Sequence, residues 1–280
     1  MEQGDPIGRP VIYLHSYLDG PRLFDNKIDL LKKNNWRIIA PSRPGYGKSS
    51  PIKIESPLSR LENFSKDIEE LSKHLNLGKS IIAGQNYALY FASTRPNYTT
   101  GLLLHNGVPI WDSLLEEKMT QRRRNLAKTF RKWPGSTRLM VGLCISLINS
   151  GKANIFLRGL AKGSQRNLEL LNNPQFLEHA IYECRHNVEQ GAETFLSDIP
   201  IMQLNMQKFV DKLHVPVAIS QYKKEAHIPN EAVEMFIKAL PYSRVFWSEG
   251  LGAESYDFMN IAMNDGLEFL YNYNRNEEIR

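Results

Sequence analysis

The sequence predicts a doubly wound α/β protein, with a mainly parallel sheet, helices on both faces and an all-helical insertion. Three observations carry this expectation. Short runs rich in Ile, Val and Leu alternate with amphipathic stretches through residues 11–105. No β-rich run occurs from Asp112 to about Met206. The alternation then resumes toward the C-terminus.

Val11–His15 (VIYLH), Trp36–Ala40 (WRIIA), Ser80–Gly84 (SIIAG) and Gly101–His105 (GLLLH) read as buried strands. They are short, apolar and bounded by turn residues, as parallel strands are. Leu23–Asn34, Leu58–Leu75 and Tyr87–Arg95 lie between them with helical spacing. In the second of these, Leu61, Phe64, Ile68, Leu71 and Leu75 form one apolar stripe. The middle reads as helices over Ser113–Lys132, Thr137–Asn149, Asn154–Ala161, Gln165–Leu171 and Gln175–Gln190, with Trp133-Pro134-Gly135 as a break. Val215–Ser220 and Arg244–Ser248 are then strands, and Glu231–Leu240 and Tyr256–Tyr271 helices. The predicted organisation is a core of 1–111 and 207–280, with 112–206 as a helical cap.

Composition narrows the class. At 280 residues, 42% hydrophobic and 23% charged, the chain is of the ordinary soluble globular kind. A chain of this length buries roughly 75% of its unfolded surface and needs no staple. The two cysteines, Cys144 and Cys184, exclude a disulfide scaffold and a four-cysteine zinc site. No metal site or cofactor is expected. The start, MEQGDPIGRP, is not a leader peptide, and the apolar run Leu139–Ile148 is too short to span a bilayer, so the expected location is the cytoplasm.

Charge is unevenly placed. The chain has 35 Lys+Arg and 30 Asp+Glu, a net of +5. Lys118–Arg166 holds twelve basic residues and no acidic one, which leaves −7 on the rest. Arg122, Arg123, Arg124, Lys128, Arg131 and Lys132 span nearly three turns of one predicted helix, and Arg124, Lys128, Arg131 and Lys132 share a face. The pattern suits an anionic surface or an acidic partner, or else a solvated helical face. Nucleic acid is not expected as a partner.

The order of landmarks resembles the α/β-hydrolase superfamily, in particular its capped bacterial esterase- and lipase-like members. The first predicted strand leads into His15-Ser16 and Asp19-Gly20, similar to the oxyanion loop, with Ser16 where Gly is usual. The turn Arg43-Pro44-Gly45-Tyr46-Gly47-Lys48-Ser49 is the most specific match. Gln190-Gly191 and Ser197-Asp198 resemble the cap exit, and Val215-Pro216-Val217 with His227-Ile228-Pro229 the region of the catalytic acid. The likeness spans about Gly8 to Leu270, and the sheet's usual first strands are expected to be missing. Ser42–Ser49 also approaches a phosphate-binding G-x-x-x-x-G-K-[ST] loop, but Ser42 replaces its first Gly and Pro44 removes a backbone N–H.

The resemblance implies a serine nucleophile in a G-x-S-x-G turn, an acid and a histidine. Here Ser80–Ile82 runs into Ala83-Gly84-Gln85-Asn86-Tyr87-Ala88. Anchored on Gly84, the nucleophile position holds Asn86. Anchored on the helix from Tyr87, about four residues are deleted, roughly one helical turn; this alignment is preferred. Neither supplies a serine. Glu225 takes the acid position. The base position after Gly250-Leu251-Gly252 holds Ala253, and no histidine follows His227. Losing a triad serine or histidine costs about 10⁶ in kcat in a model protease. The expectation is therefore a degenerate relative of ester hydrolases that keeps a pocket for a small apolar or amphipathic ligand. His15, Ser16, Gln85, Tyr87, His105 and Trp111 are its expected lining, and the pocket is expected to be small and aromatic. The alternatives are a hydrolase with a non-standard constellation and an interaction protein docking through its basic cap.

Overall fold

The computed structural model describes residues 1–16, 20–23, 25–51, 56–105, 108, 121–162, 165–224, 229–251 and 261–278. Seven strands form one sheet: β1 (Glu2–Gly4), β2 (Arg9–Leu14), β3 (Trp36–Ile39), β4 (Ser80–Gly84), β5 (Thr99–His105), β6 (Val217–Lys224) and β7 (Ser243–Leu251). Their order is β1-β3-β2-β4-β5-β6-β7. Every pairing is parallel except β1 with β3. The strands expected to be missing are thus represented by one short antiparallel edge strand. It is held by pairing along Glu2↔Ile39 to Gly4↔Arg37 rather than by apolar content, so no hydrophobic run announced it.

Helices α1 (Asp25–Lys33), α2 (Pro57–His74) and α3 (Asn86–Thr94) fall in the first half. The run between β5 and β6 is helical: α4 (Gln121–Lys132), α5 (Pro134–Leu147), α6 (Ala153–Ala161), α7 (Gln165–Leu170), α8 (Pro174–Val188), α9 (Ala192–Met202) and α10 (Gln207–Val210). Helices α11 (Asn230–Lys238) and α12 (Ile261–Glu278) follow β6 and β7. Strand side chains alternate between two cores, as the twofold period of a strand requires. Ile12, Leu14 and Ile82 pack with Leu61 and Phe64 of α2, Phe91 of α3 and Phe236 of α11. Val11, Tyr13, Ile38 and Ala83 pack with Leu31 of α1 and with Met263, Leu267 and Leu270 of α12. Helix α2 begins where Ser56 accepts from the Ser59 N–H, with Pro57 in the first turn.

The helical insertion has a third cluster of its own, including Ile148, Leu157, Phe176, Ala180 and Cys184. One helical run in it, Gly135–Ala161, is 27 residues long and apolar enough to cross a membrane by length and composition. The apolar segment Leu139–Ile148 lies inside it. The run is not one straight rod: a π turn at Ile148–Lys152 joins α5 to α6, and Gly151 there has φ 80°.

Two devices place the functional edge. The order of β2, β3 and β4 reverses at β2, so the crevice at the C-terminal ends of β2 and β4 is the topological switch point where open α/β sheets bind ligands. The Arg43–Ser49 turn docks under α8 and the residues that follow it. Gln190 Nε2 donates to Gly47 O at 2.6 Å and Ser49 O at 2.5 Å, and the Gly47 N–H donates to His186 O at 3.0 Å. Gly47 has φ 54°, and a Cβ there would stand 2.0 Å from His186 Cε1. The N–H groups of Arg43, Gly45, Tyr46, Gly47 and Ser49 are all engaged within the protein, so this turn does not present the row of free N–H donors a phosphate loop uses.

Candidate functional site

The C-terminal ends of β2 and β4 frame a cleft lined by Leu14, His15, Ser16, Arg43, Gln85, Asn86, Tyr87, Asp198, Ile201 and Met202. Its free volume is about 20 Å³, close to the space of one water. Of the expected lining, His15, Ser16, Gln85 and Tyr87 are in it, His105 is not, and Trp111 lies outside the described residues. Arg43 and Asp198 of a buried ion cluster contribute to its wall.

At the junction, β4 passes into α3 through the single residue Gln85. Gly84 carries the unusual backbone, with φ 144°, and a Cβ there would lie 2.4 Å from Leu14 O. Only glycine lets β4 turn this close to β2. Gln85 has φ −125°, and Asn86 is already helical. The structure thus places Gln85, with Asn86 next to it, at the turn where the resemblance implies a nucleophile. Both side chains are tied down. Gln85 Nε2 donates to His105 O at 3.2 Å, and Asn86 Nδ2 to Ile201 O at 2.9 Å. Ser16 Oγ lies 3.5 Å from Gln85 Oε1, a long contact across the cleft.

His15 is wholly buried. Its Nε2 accepts the Arg43 N–H at 3.1 Å, and Nδ1 pairs with Ser16 O at 3.0 Å. Acceptance at Nε2 leaves the proton on Nδ1, so the ring is neutral with both nitrogens engaged. His105 ends β5, also buried, and burial pushes its pKa down to about 3.

Beside the cleft lies a cluster the sequence reading missed. Asp198 of α9, 2% exposed, receives Arg43 Nη1 at 2.6 Å, Arg60 Nε at 3.3 Å and the Tyr87 hydroxyl at 2.9 Å. The Tyr46 hydroxyl also donates to it. The Arg43 contact is a close ion pair without hydrogen-bond alignment. The guanidinium lies over the rings of Tyr46 and Tyr87, 4.3 and 4.5 Å from their centroids. Burial, and then the Asp198 charge, keep the Tyr87 hydroxyl protonated well above its ordinary value. Both halves of the cluster carried a signal, since Arg43 and Tyr46 belong to the turn motif and Asp198 to the Ser197-Asp198 landmark. Their pairing across some 150 residues had none.

One serine–histidine pair also comes within reach: Ser42 Oγ and His186 Nε2 are 3.2 Å apart. Burial lowers the His186 pKa, with Glu189 pulling it the other way. Of the remaining expected residues, Glu225, Ala253 and Trp111 lie outside the described residues. Arg122, Arg123, Arg124, Lys128, Arg131 and Lys132 all fall on α4, where Lys128 and Lys132 are exposed and Arg124 is half-exposed. Among the described residues, no group of three or more His, Cys, Asp or Glu is placed to hold a metal ion.

Comparison with known proteins agrees with this architecture. Residues 9–139 match the family model described as alpha/beta hydrolase fold. No curated protein sequence matches the chain. A carboxylesterase structure from the thaumarchaeon Nitrososphaera gargenis superposes with a TM-score of 0.71 at 15% identity, covering 99% of this chain and 94% of its own. Bromoperoxidase from Bacillus anthracis gives 0.64 at 18% identity, over 100% and 92%. An enol-lactonase from Burkholderia xenovorans gives 0.65 at 14% identity, over 97% and 95%. The switch-point cleft, the parallel sheet and these matches together establish that the chain has the α/β-hydrolase fold.

Proposed function

We propose that this chain is a catalytically retired relative of small-molecule ester hydrolases, with the helical insertion serving as a cap over a binding cleft. The observation that supports it most is the β4–α3 junction. Gln85 and Asn86 stand there with their amides engaged, and neither can be a nucleophile. His15 on the same edge has both ring nitrogens committed, and so lacks the lone pair a general base needs. The ligand suited to the cleft is small and amphipathic, with a polar end toward Ser16 and Gln85 and an apolar end toward Ile201 and Met202. Room for one water means that such a ligand must displace the Gln85 or Met202 side chain on entry. The test is a scan of short-chain aryl esters with the purified protein. Turnover blocked by a serine-directed inhibitor overturns the proposal.

One observation favours a second reading, a hydrolase with a non-standard constellation. Ser42 and His186 are within hydrogen-bond reach, and a half-buried imidazole with a lowered pKa is neutral at pH 7 and able to accept a proton. Ester turnover abolished by Ser42→Ala, and unchanged by Asn86→Ala, would favour this reading over the first.

A further inference from the structure

We infer that the helical insertion docks onto an anionic lipid surface through the outer face of α5, lying in the plane of the surface rather than crossing it. Helix α5 has two faces. Thr137, Val141 and, just beyond its end, Ile148 are four and seven residues apart and buried. Leu139 is 68% exposed, Met140 39% and Leu143 60%. Leu139 and Leu143 are four apart and Met140 and Leu143 three apart, so these side chains share the side turned away from the buried face. The helix is open at its glycines too: a Cβ added to Gly135 or Gly142 would meet no atom within 4 Å. Trp133 precedes the helix at 64% exposure, and Ile155 of α6 is 56% exposed. Five of the nine large exposed apolar side chains among the described residues therefore fall within residues 133–155.

Charge selects the occupant. The stretch Lys118–Arg166 has twelve basic residues and no acidic one. Lys132 adjoins Trp133 at one end of α5, and Lys152 stands past its other end, both exposed. A helix of 14 residues is about 21 Å long. Leu139, Met140 and Leu143 cover about 6 Å of that length, with Trp133 before the helix and exposed lysines beyond both ends; apolar side chains flanked by Trp and basic residues suit a headgroup–acyl boundary. A second copy of the chain would set this basic face against itself. A nucleic acid would leave Leu139, Met140 and Leu143 without a partner. An anionic headgroup layer over acyl chains satisfies both halves. Spanning is disfavoured by the bend at Gly151, by Lys152, Arg138 and Arg158 within the run, and by the commitment of the opposite face to internal packing.

The experiment is co-sedimentation of the intact protein with phosphatidylcholine vesicles, with and without phosphatidylserine. Binding is expected only with phosphatidylserine, should fall with salt, and should blue-shift tryptophan emission in a way that Trp133→Phe removes. Leu139→Ser with Leu143→Ser, and separately Lys128→Glu with Lys132→Glu, should each weaken binding about tenfold or more. All four residues lie on the surface, so an unchanged thermal midpoint confirms that the variants fold. Failure to bind anionic vesicles, equal binding to neutral ones, or binding indifferent to the leucine pair overturns the inference. So does self-association that the leucine pair abolishes while vesicles are ignored, or RNA binding in their place.

Discussion

Asp198→Ala tests the buried cluster most directly. The carboxylate, 2% exposed, faces two guanidiniums and two tyrosine hydroxyls contributed by the Arg43–Tyr46 turn, α2 and α3, while Asp198 itself belongs to the insertion. Removing one partner of a buried ion pair costs about 3–5 kcal/mol, because the other charge stays desolvated. Here Arg43, 1% exposed, is stranded with little recourse, whereas Arg60 keeps Ser197, Tyr87 and a long contact to Pro44 O. The expected loss is therefore about 4 kcal/mol, from a total that is typically 5–15. At about 2–4 °C per kcal/mol for a chain of this size class, the thermal midpoint should drop by about 10 °C. Urea unfolding supplies the free energy and calorimetry the midpoint. Adding Arg43→Met to Asp198→Leu should recover part of the loss, since a stranded charge is replaced by an apolar stem. A loss below about 1 kcal/mol for Asp198→Ala, the size of an exposed pair, would refute the claim that this cluster is buried and clamps the insertion to the sheet.

Acid should destabilise the protein through His105. Its folded pKa of about 3 lies below the ordinary 6.5, so between those values the unfolded chain takes up a proton that the folded one refuses. This contribution to stability is complete above pH 6.5 and is lost as pH falls below it, by up to about 1.4 kcal/mol per unit; His105→Gln should flatten that slope in urea titrations at pH 7 and pH 5. Gly84→Ala should cost about 3 kcal/mol, from positive φ and the 2.4 Å approach of the new Cβ to Leu14 O, read as a lower urea midpoint. A neutral result there would mean that β2 and β4 can separate at the junction. Asn86→Ser should yield no ester turnover and lose about 1 kcal/mol with its bond to Ile201 O, measured by aryl-ester assay and thermal melt.

The sheet was legible where burial wrote it. Ser80–Gly84 is a strand over the predicted residues, and its neighbours differ by a residue or two at their ends. The larger misses have physical causes. Strands β6 and β7 run on to Lys224 and Leu251 because they pair with each other through Gln221↔Trp247 and Tyr222↔Ser248, and backbone pairing needs no apolar side chain. Helix α9 lies within the stretch expected to be helical but is not singled out there, and it carries Pro200 inside it, which a sequence pattern does not favour. At the site, the position of the junction and the identities of Gln85 and Asn86 were on the page, but what holds them was not. Their partners, His105 and Ile201, are brought close by the sheet register and by the docking of α9.

On the proposed reading, the same contacts explain how a fold of this kind could outlast the chemistry its relatives' names describe. The demanding requirement at the junction is steric and belongs to Gly84, where any Cβ strikes Leu14 O. The next residue faces a small cleft and is under no such constraint. Gln85 fills it with a side chain that bonds the carbonyl at the end of β5 and so ties the β4–α3 turn to the neighbouring strand. A serine there is too short to make that bond. On the proposed reading, the residue that replaced a nucleophile therefore stabilises the edge it occupies. Gln85→Ser should accordingly lose stability, by about 1 kcal/mol for the missing hydrogen bond, and gain no esterase activity, because His15 remains locked between Arg43 and Ser16. A Gln85→Ser protein that turned over aryl esters would show instead that a competent base lies within reach of the junction, and that the site is one substitution from activity.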